Sequence, residues 1–346
     1  MITSMLRASR ILLLGFLLAP VPATAELILP SGFTSQVYVS GTGFEASQAQ
    51  AMEGMPSATT LAFDDAGMLY LARSGRRYGG GGDFDDRWPI YRVPPGGARL
   101  TRDSEDRFFH GPPLPNAQVA AIRGGREIFV TTFDRERRIG VVYRILDGTI
   151  SLFAGGTPPA GTPPLLRQPE GVAIDGAGNF YVADRATGRI VKLDAQGRVL
   201  DPKWLTVTRP RGLVIGDREH LWISSDGAAE APWQPGPGEI WRVSPDGVPS
   251  VVMKGPIAGA ISPGPGGRLF VADRQAGLIF TVSPEGQRTE FARFTDGDAP
   301  RALCFAPVTP ATQQAGIAGD LFVITIRRGA WPLNEVVRIA GPFEKP

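Results

Sequence analysis

The chain has 346 residues, with 36 basic and 34 acidic side chains that leave a formal charge of +2 at neutral pH, and only two histidines and one cysteine. Such a balance gives no electrostatic footprint for a nucleic acid and no polybasic patch for an anionic membrane. A single cysteine excludes an internal disulfide and any Cys-x-x-Cys metal or redox motif.

Met1 to Ala25 has the form of a secretory signal: Arg7 and Arg10, an apolar run from Ile11 to Val21, then Ala23-Thr24-Ala25 ahead of Glu26. The run is too short to span a bilayer, and no cysteine follows it to carry a lipid. Removing its two Arg brings the charge to zero, 34 against 34. The expectation is a periplasmic or secreted protein without a stable membrane anchor, a single domain over residues 26–346, and a monomer.

Beyond the leader one phrase recurs six times: a short strand with an aromatic at its centre, then a strand built as apolar, basic, apolar. The first half reads Leu69-Tyr70-Leu71, Ile128-Phe129-Val130, Phe180-Tyr181-Val182, Leu221-Trp222-Ile223, Leu269-Phe270-Val271 and Leu321-Phe322-Val323. Its partners are Tyr91-Arg92-Val93, Tyr143-Arg144-Ile145, Val191-Lys192-Leu193, Trp241-Arg242-Val243, Phe280-Thr281-Val282 and Val337-Arg338-Ile339. Repetition at this spacing predicts small sheets stacked radially, an all-β, six-bladed β-propeller of four-stranded antiparallel blades.

Gln168 to Val199 is the clearest unit. It parses as strand a (171–174), an Asp175-Gly176 turn, strand b (179–183), strand c (189–193), a Gln196-Gly197 turn and an outer strand d. The P-x-G-V-A-I-D, G-N-F-Y-V-A-D and R-I-V-K-L segments of this unit resemble an NHL repeat, within the six-bladed group that includes the SMP-30/gluconolactonase-like proteins. The opening segment ILPSGFTSQVYVSG resembles the start of sugar and sorbosone dehydrogenase propellers. Strand c of the sixth unit ends near Ile339, leaving too few residues for a fourth strand. Thr34 to Ser40 is therefore expected to serve as its outer strand and close the ring.

In such a meander the b–c loops and d–a connections share one face, and the a–b and c–d hairpins share the other. The hairpins are short, except for an insertion between Phe305 and Leu321. The b–c loops vary: Tyr181 to Val191 and Phe270 to Phe280 span ten residues, but Tyr70 to Tyr91 spans 21 and Trp222 to Trp241 spans 19. Variable loops on a rigid frame mark the functional face. Aligning the units on Pro169-Glu170-Gly171 predicts a ring around the channel mouth of Thr59, Gln118, Glu170, Arg211, Ala258 and Arg301. This is either a seat for a polar or anionic ligand or a self-neutralised Glu170–Arg211 pair.

The loop-rich face also carries Arg73, the pairs Arg76-Arg77, Arg137-Arg138 and Arg327-Arg328, and Trp88, Trp233 and Trp331. Adjacent Arg pairs suit a carboxylate or phosphate, although nearby acids offer internal compensation. The tryptophans are candidates for stacking on a ligand or anchoring a protein partner, or for clamping the start of strand c.

Two enzyme readings stay open. Resemblance to the SMP-30 group implies a divalent-cation lactonase or esterase, for which Glu170, with Asp184 and Asp273 of the V-A-D-R phrases, is the candidate ligand set; Arg211 and Arg301 stand where that family has neutral or acidic ligands. Resemblance to the quinone-dependent dehydrogenases implies a catalytic base beside the cofactor, and His110 is the candidate, expected on the connection into the second unit. The run Gly79 to Asp86 offers acids for Ca²⁺. Cys304, in Ala302-Leu303-Cys304-Phe305, reads as a buried inert thiol. The ring lacks a full catalytic set, which favours binding over catalysis.

Overall fold

The computed structural model describes residues 27–42, 55–56, 58–73, 87–101, 103–134, 136–227, 238–255, 258–295, 297–326 and 333–343. Six antiparallel sheets make the six blades. From inner strand a to outer strand d, blade 1 is Ala58–Phe63, Leu69–Arg73, Arg87–Val93 and Phe109–Pro115; blade 2 is Gln118–Arg123, Glu127–Asp134, Ile139–Leu146 and Thr149–Gly155. Blade 3 is Pro169–Ile174, Phe180–Asp184, Arg189–Leu193 and Val199–Thr206; blade 4 is Pro210–Ile215, Leu221–Ser225, Gly238–Val243 and Pro249–Gly255. Blade 5 is Ala258–Pro263, Leu269–Asp273, Leu278–Val282 and Arg288–Phe294. In blade 6, Ala299–Phe305, Leu321–Ile326 and Leu333–Ala340 are joined by Thr34–Thr42 as the outer strand. Each strand a lies beside that of the next blade, and the sixth returns to the first.

The recurring phrase is a cross-strand pair. Tyr70 lies opposite Arg92, Phe129 opposite Arg144, Tyr181 opposite Lys192, Trp222 opposite Arg242, Phe270 opposite Thr281 and Phe322 opposite Arg338. Because side chains alternate along a strand, the aromatic points to one side of its blade and its two flanking residues point to the other. Tyr70 therefore packs with Ile128 and Val130 of blade 2, Phe129 with Phe180 and Val182 of blade 3, and Tyr181 with Leu221 and Ile223 of blade 4. The order continues with Trp222 on Leu269 and Val271 and with Phe270 on Leu321 and Val323. Phe322 completes the circle on Leu69 and Leu71 of blade 1. The core is thus six layers between blades, each joining one blade's aromatic to the next blade's flanking pair, and each such side chain contributes about 1.5–3 kcal/mol by burial.

Ring closure follows the strand count. Val37 pairs with Val337 and Thr34 with Ala340. Two additions were not legible beforehand. Ala98–Thr101, between strands c and d of blade 1, runs parallel to the outer strand of blade 6, pairing Val39 with Ala98; it straps the seam from the neighbouring blade. Leu27–Ile28 adds a fifth strand to the edge of blade 5. The blade 6 insertion forms a short helix α1 (Pro310–Gln314), capped by Thr309, whose hydroxyl donates to the Asp65 carbonyl of blade 1 at 2.7 Å.

The c–d hairpins are plain because they are wedged. Gly197 of blade 3 has φ +81°, and a Cβ there would sit 2.2 Å from the Phe153 carbonyl oxygen on the outer strand of blade 2. Gly97 of blade 1, φ +80°, meets the Tyr38 carbonyl of blade 6 in the same way, at 2.0 Å. Only glycine combines a left-handed backbone with that approach.

Candidate functional site at the channel mouth

The mouth is built on β-bulges. In blades 1, 3, 4, 5 and 6 the ladder between strands a and b slips at its mouth end, between Ala58 and Leu61, Pro169 and Val172, Pro210 and Leu213, Ala258 and Ala260, and Pro300 and Ala302. Thr59, Glu170, Arg211 and Arg301 fall inside those slips, where a bulge re-aims a side chain away from the regular pleat. Gln118 opens strand a of blade 2 and Ala258 that of blade 5.

Neighbouring blades are linked through these residues. The Thr59 hydroxyl donates to the Ala117 carbonyl at 3.2 Å. Glu170 is buried; its carboxylate accepts from the amide of Gln118 in blade 2 and from that of Gln168 at 2.9 Å. Arg211 of blade 4 stands 3.9 Å from Glu170 but gives its hydrogen bonds to Asp226, at 2.7 Å from Nη2 and 3.1 Å from Nε. Arg185 reaches the same carboxylate at 3.0 Å. Burial alone would raise the pKa of the fully enclosed Asp226, but the Arg211 and Arg185 guanidiniums outweigh it and hold the group below its ordinary value. Burial works against the Arg211 cation too, and Glu170 and Asp226 overcome it, so its pKa is raised. Two carboxylates and two guanidiniums thus form a compensated network across blades 3 and 4. Asp226 was not anticipated: it lies one position beyond the acids of the V-A-D-R phrases, in a blade that reads Ile223-Ser224-Ser225-Asp226.

The residue ending strand b has a different task. Asp184 accepts from the backbone N–H of Gln168 at 2.8 Å and Arg167 at 3.2 Å, and from the Thr187 hydroxyl at 2.6 Å. Ser225 and Thr132 occupy the equivalent position in blades 4 and 2 and donate to the Thr208 and Pro115 carbonyls. Each side chain ties the segment leading into its own strand a. Asp273 accepts from Ala276 N–H at 3.0 Å and has Arg288 at 3.8 Å. Glu170, Asp184 and Asp273 therefore do not fit a divalent cation: Asp273 stands on blade 5, apart from the other two on blade 3, the oxygens of all three are given to amides, a hydroxyl or an arginine, and among the described residues no three His, Cys, Asp or Glu side chains gather to hold a metal.

Arg73 is buried too. Its guanidinium lies 3.2 Å from Glu105, 3.0 Å from the Tyr91 hydroxyl and 3.9 Å over the Trp88 ring, so it braces the start of strand c and is turned away from solvent. His110 belongs to strand d of blade 1 and not to the connection that follows it. Strand c runs from Arg87 at the loop-rich face to Val93, and His110 pairs with Ile90 while Pro115 pairs with Arg87; the ring stacks edge-on to Tyr70 at 5.5 Å, toward the hairpin face. Burial, reinforced by Arg92, lowers its pKa. No base stands at the mouth from this residue, and a quinone site built on it does not fit. Burial likewise pushes the Cys304 thiol pKa up, which disfavours the nucleophilic thiolate. Arg76, Arg77, Arg327, Arg328, Trp233, Trp331 and the run from Gly79 to Asp86 lie outside the described residues.

Beside the compensated network the loop-rich face opens into a cavity of about 380 Å³, lined by Phe133, Asp134, Arg138, Arg167, Gln168 and Ala186. Asp134 caps its own loop, accepting from Glu136 and Arg137 N–H at 2.9 Å. Arg138 and Arg167 are exposed, and among the described residues neither guanidinium has an acceptor. Gln168 joins this cavity to Glu170.

Residues 166–193, strands a to c of blade 3, match the NHL repeat model. A search of curated proteins finds no match. Among solved structures, virginiamycin B lyase from Staphylococcus aureus is 13% identical with a TM-score of 0.52, covering 91% of this chain and 99% of that one. A glucose dehydrogenase is 13% identical at TM-score 0.55, covering 89% and 99%, and a gluconolactonase-like protein is 12% identical at 0.56, covering 91% and 94%. At these identities the likeness is one of fold, and it spans three different chemistries.

Proposed function

We propose that this propeller is an exported binding protein for a small anionic ligand, a carboxylate or phosphate ester, held on the loop-rich face between blades 2 and 3. The observation that carries the reading is the pair Arg138 and Arg167: two exposed guanidiniums without acceptors among the described residues, at a cavity of about 380 Å³ beside the compensated Glu170–Arg211–Asp226–Arg185 network. A guanidinium fork is suited to bidentate contact with planar or tetrahedral oxyanions, and the cavity falls in the range of about 300–1,000 Å³ usual for small-molecule sites. Gln168 supplies a polar contact of fixed orientation at the cavity floor, because its amide is held by Glu170. The leader Met1 to Ala25 supports export to the periplasm or medium.

The test is calorimetric titration of the mature chain with citrate, a sugar phosphate and the parent neutral sugar. Saturable binding of an anion, with an affinity at least about tenfold lower in Arg138→Ala/Arg167→Ala while any binding of the neutral sugar is unchanged by that double variant, is the expected result. Equal affinity in the double variant, or no anion bound, rejects the reading. Added Ca²⁺ or EDTA is expected to leave the melting temperature unchanged; a Ca²⁺-dependent rise that Glu170→Gln removes would place a metal at the mouth instead.

A further inference from the structure

The opposite, hairpin face holds a second cavity, of about 500 Å³, between blades 3 and 4. It opens where the wedge seen at Gly97 and Gly197 is relaxed: Gly247, on the corresponding hairpin of blade 4, reaches nothing of blade 3 closer than Trp204, whose ring edge would be 3.9 Å from a Cβ. One wall is aromatic. Trp204 and Tyr181 have ring centroids 4.7 Å apart, and the Lys192 ammonium lies 5.2 Å over Tyr181 and 5.9 Å over Trp204. The other walls are acidic, with Asp175, Glu219 and Asp246 around the rim.

The acids differ in what they have left to offer. Asp175 accepts from the Tyr181 hydroxyl at 3.0 Å and from Asn179, and Glu219 accepts from Gly176 N–H at 2.8 Å, bridging the two blades. Asp246 is exposed and has no partner among the described residues, and neither the Trp204 indole N–H nor the Lys192 ammonium has an acceptor among them. The groove therefore presents an aromatic ledge flanked by two unused donors and one unused acceptor. Its three carboxylates and one ammonium leave a charge of −2.

We infer that this groove is a saccharide site, selecting neutral or amino-bearing pyranose units over uronic acids. A pyranose has one apolar C–H face that suits an aromatic ring and a rim of hydroxyls that both donate and accept. The indole N–H and Lys192 meet ring or hydroxyl oxygens, and Asp246 takes a hydroxyl or ammonium proton. A uronate carboxylate would meet the acidic rim and be repelled, while an amino group would be attracted. The volume holds a short oligosaccharide end.

The experiment titrates the mature chain, followed by calorimetry and tryptophan fluorescence, with cellobiose, the glucosamine disaccharide and digalacturonate. Saturable binding of the first two is expected, with digalacturonate at least about tenfold weaker. Trp204→Ala should lower affinity about tenfold or more, Trp204→Phe should retain most of it, and Asp246→Asn should weaken the glucosamine disaccharide more than cellobiose. Arg138→Ala/Arg167→Ala should leave sugar binding unchanged, which separates this site from the anion site. Absence of saturable binding at millimolar sugar by wild-type protein with a normal melt overturns the inference. So does equal affinity for digalacturonate, or affinity insensitive to Trp204→Ala in a Trp204→Phe-validated fold.

Discussion

The two faces of the ring dispose of charge in opposite ways. Among the described residues, acids and cations at the mouth are matched inside the rim and two arginines without acceptors stand outside it; on the hairpin face between blades 3 and 4, an acid without a partner stands at the rim and the cation lies over aromatic rings. The backbone explains the difference. Bulges turn the ends of the inner strands into the channel, so neighbouring blades must reconcile their charges there, whereas hairpins lean on the preceding blade's outer strand and leave charge to the gaps between wedges.

The matched network gives the largest expected effect. Asp226→Ala leaves Arg211 and Arg185 without their shared carboxylate in a buried setting and should cost about 3–5 kcal/mol, measured by urea unfolding. The same network is acid-sensitive. Because the folded pKa of Asp226 lies below its ordinary value, its stabilisation is complete above about pH 4 and declines as pH falls through the folded value. Stability of wild type and Asp226→Asn, compared from pH 6 down to pH 2, should converge as the pH drops; parallel curves would break the assignment.

A smaller effect probes the wedges. Gly197→Ala combines a left-handed backbone with a Cβ 2.2 Å from a carbonyl oxygen, while Gly148→Ala has φ +78° and open space. The first should lose about 1–3 kcal/mol more than the second by thermal melt. The smallest effect on stability belongs to Arg138→Ala/Arg167→Ala, within about 0.5 kcal/mol, although this is the pair that should remove anion affinity. A large loss of stability there would show that the arginines serve the fold.

Much of the architecture was legible because one phrase encodes it twice. An aromatic opposite a basic residue is a local signal of two paired strands, and its flanking pair is the partner surface for the previous blade's aromatic. The bulged positions at the mouth were legible from the same register, since Pro169-Glu170-Gly171 recurs as Pro210-Arg211-Gly212 and more loosely as Pro300-Arg301-Ala302. What escaped came from residues without a repeat. Glu105 reaches Arg73 from a short 3-10 turn, 32 positions away. Asp226 is displaced by one residue from its counterparts, and the strap Ala98–Thr101 reads as a plain connector. The hairpin-face groove escaped because Trp204, Tyr181 and Gly247 each read alone as core or turn.

The strand that completes blade 6 is made first. Val37 and Val337 are partners, 300 positions apart, so the amino-terminal segment must wait for almost the whole chain before its edge is covered. Five blades can form in order as the chain lengthens, but the joint that makes them a circle exists only once the final strand arrives. A chain cut short before that strand would keep the other five blades and yet present two edges, Leu321–Ile326 and Thr34–Thr42, each lacking the one strand that joins them.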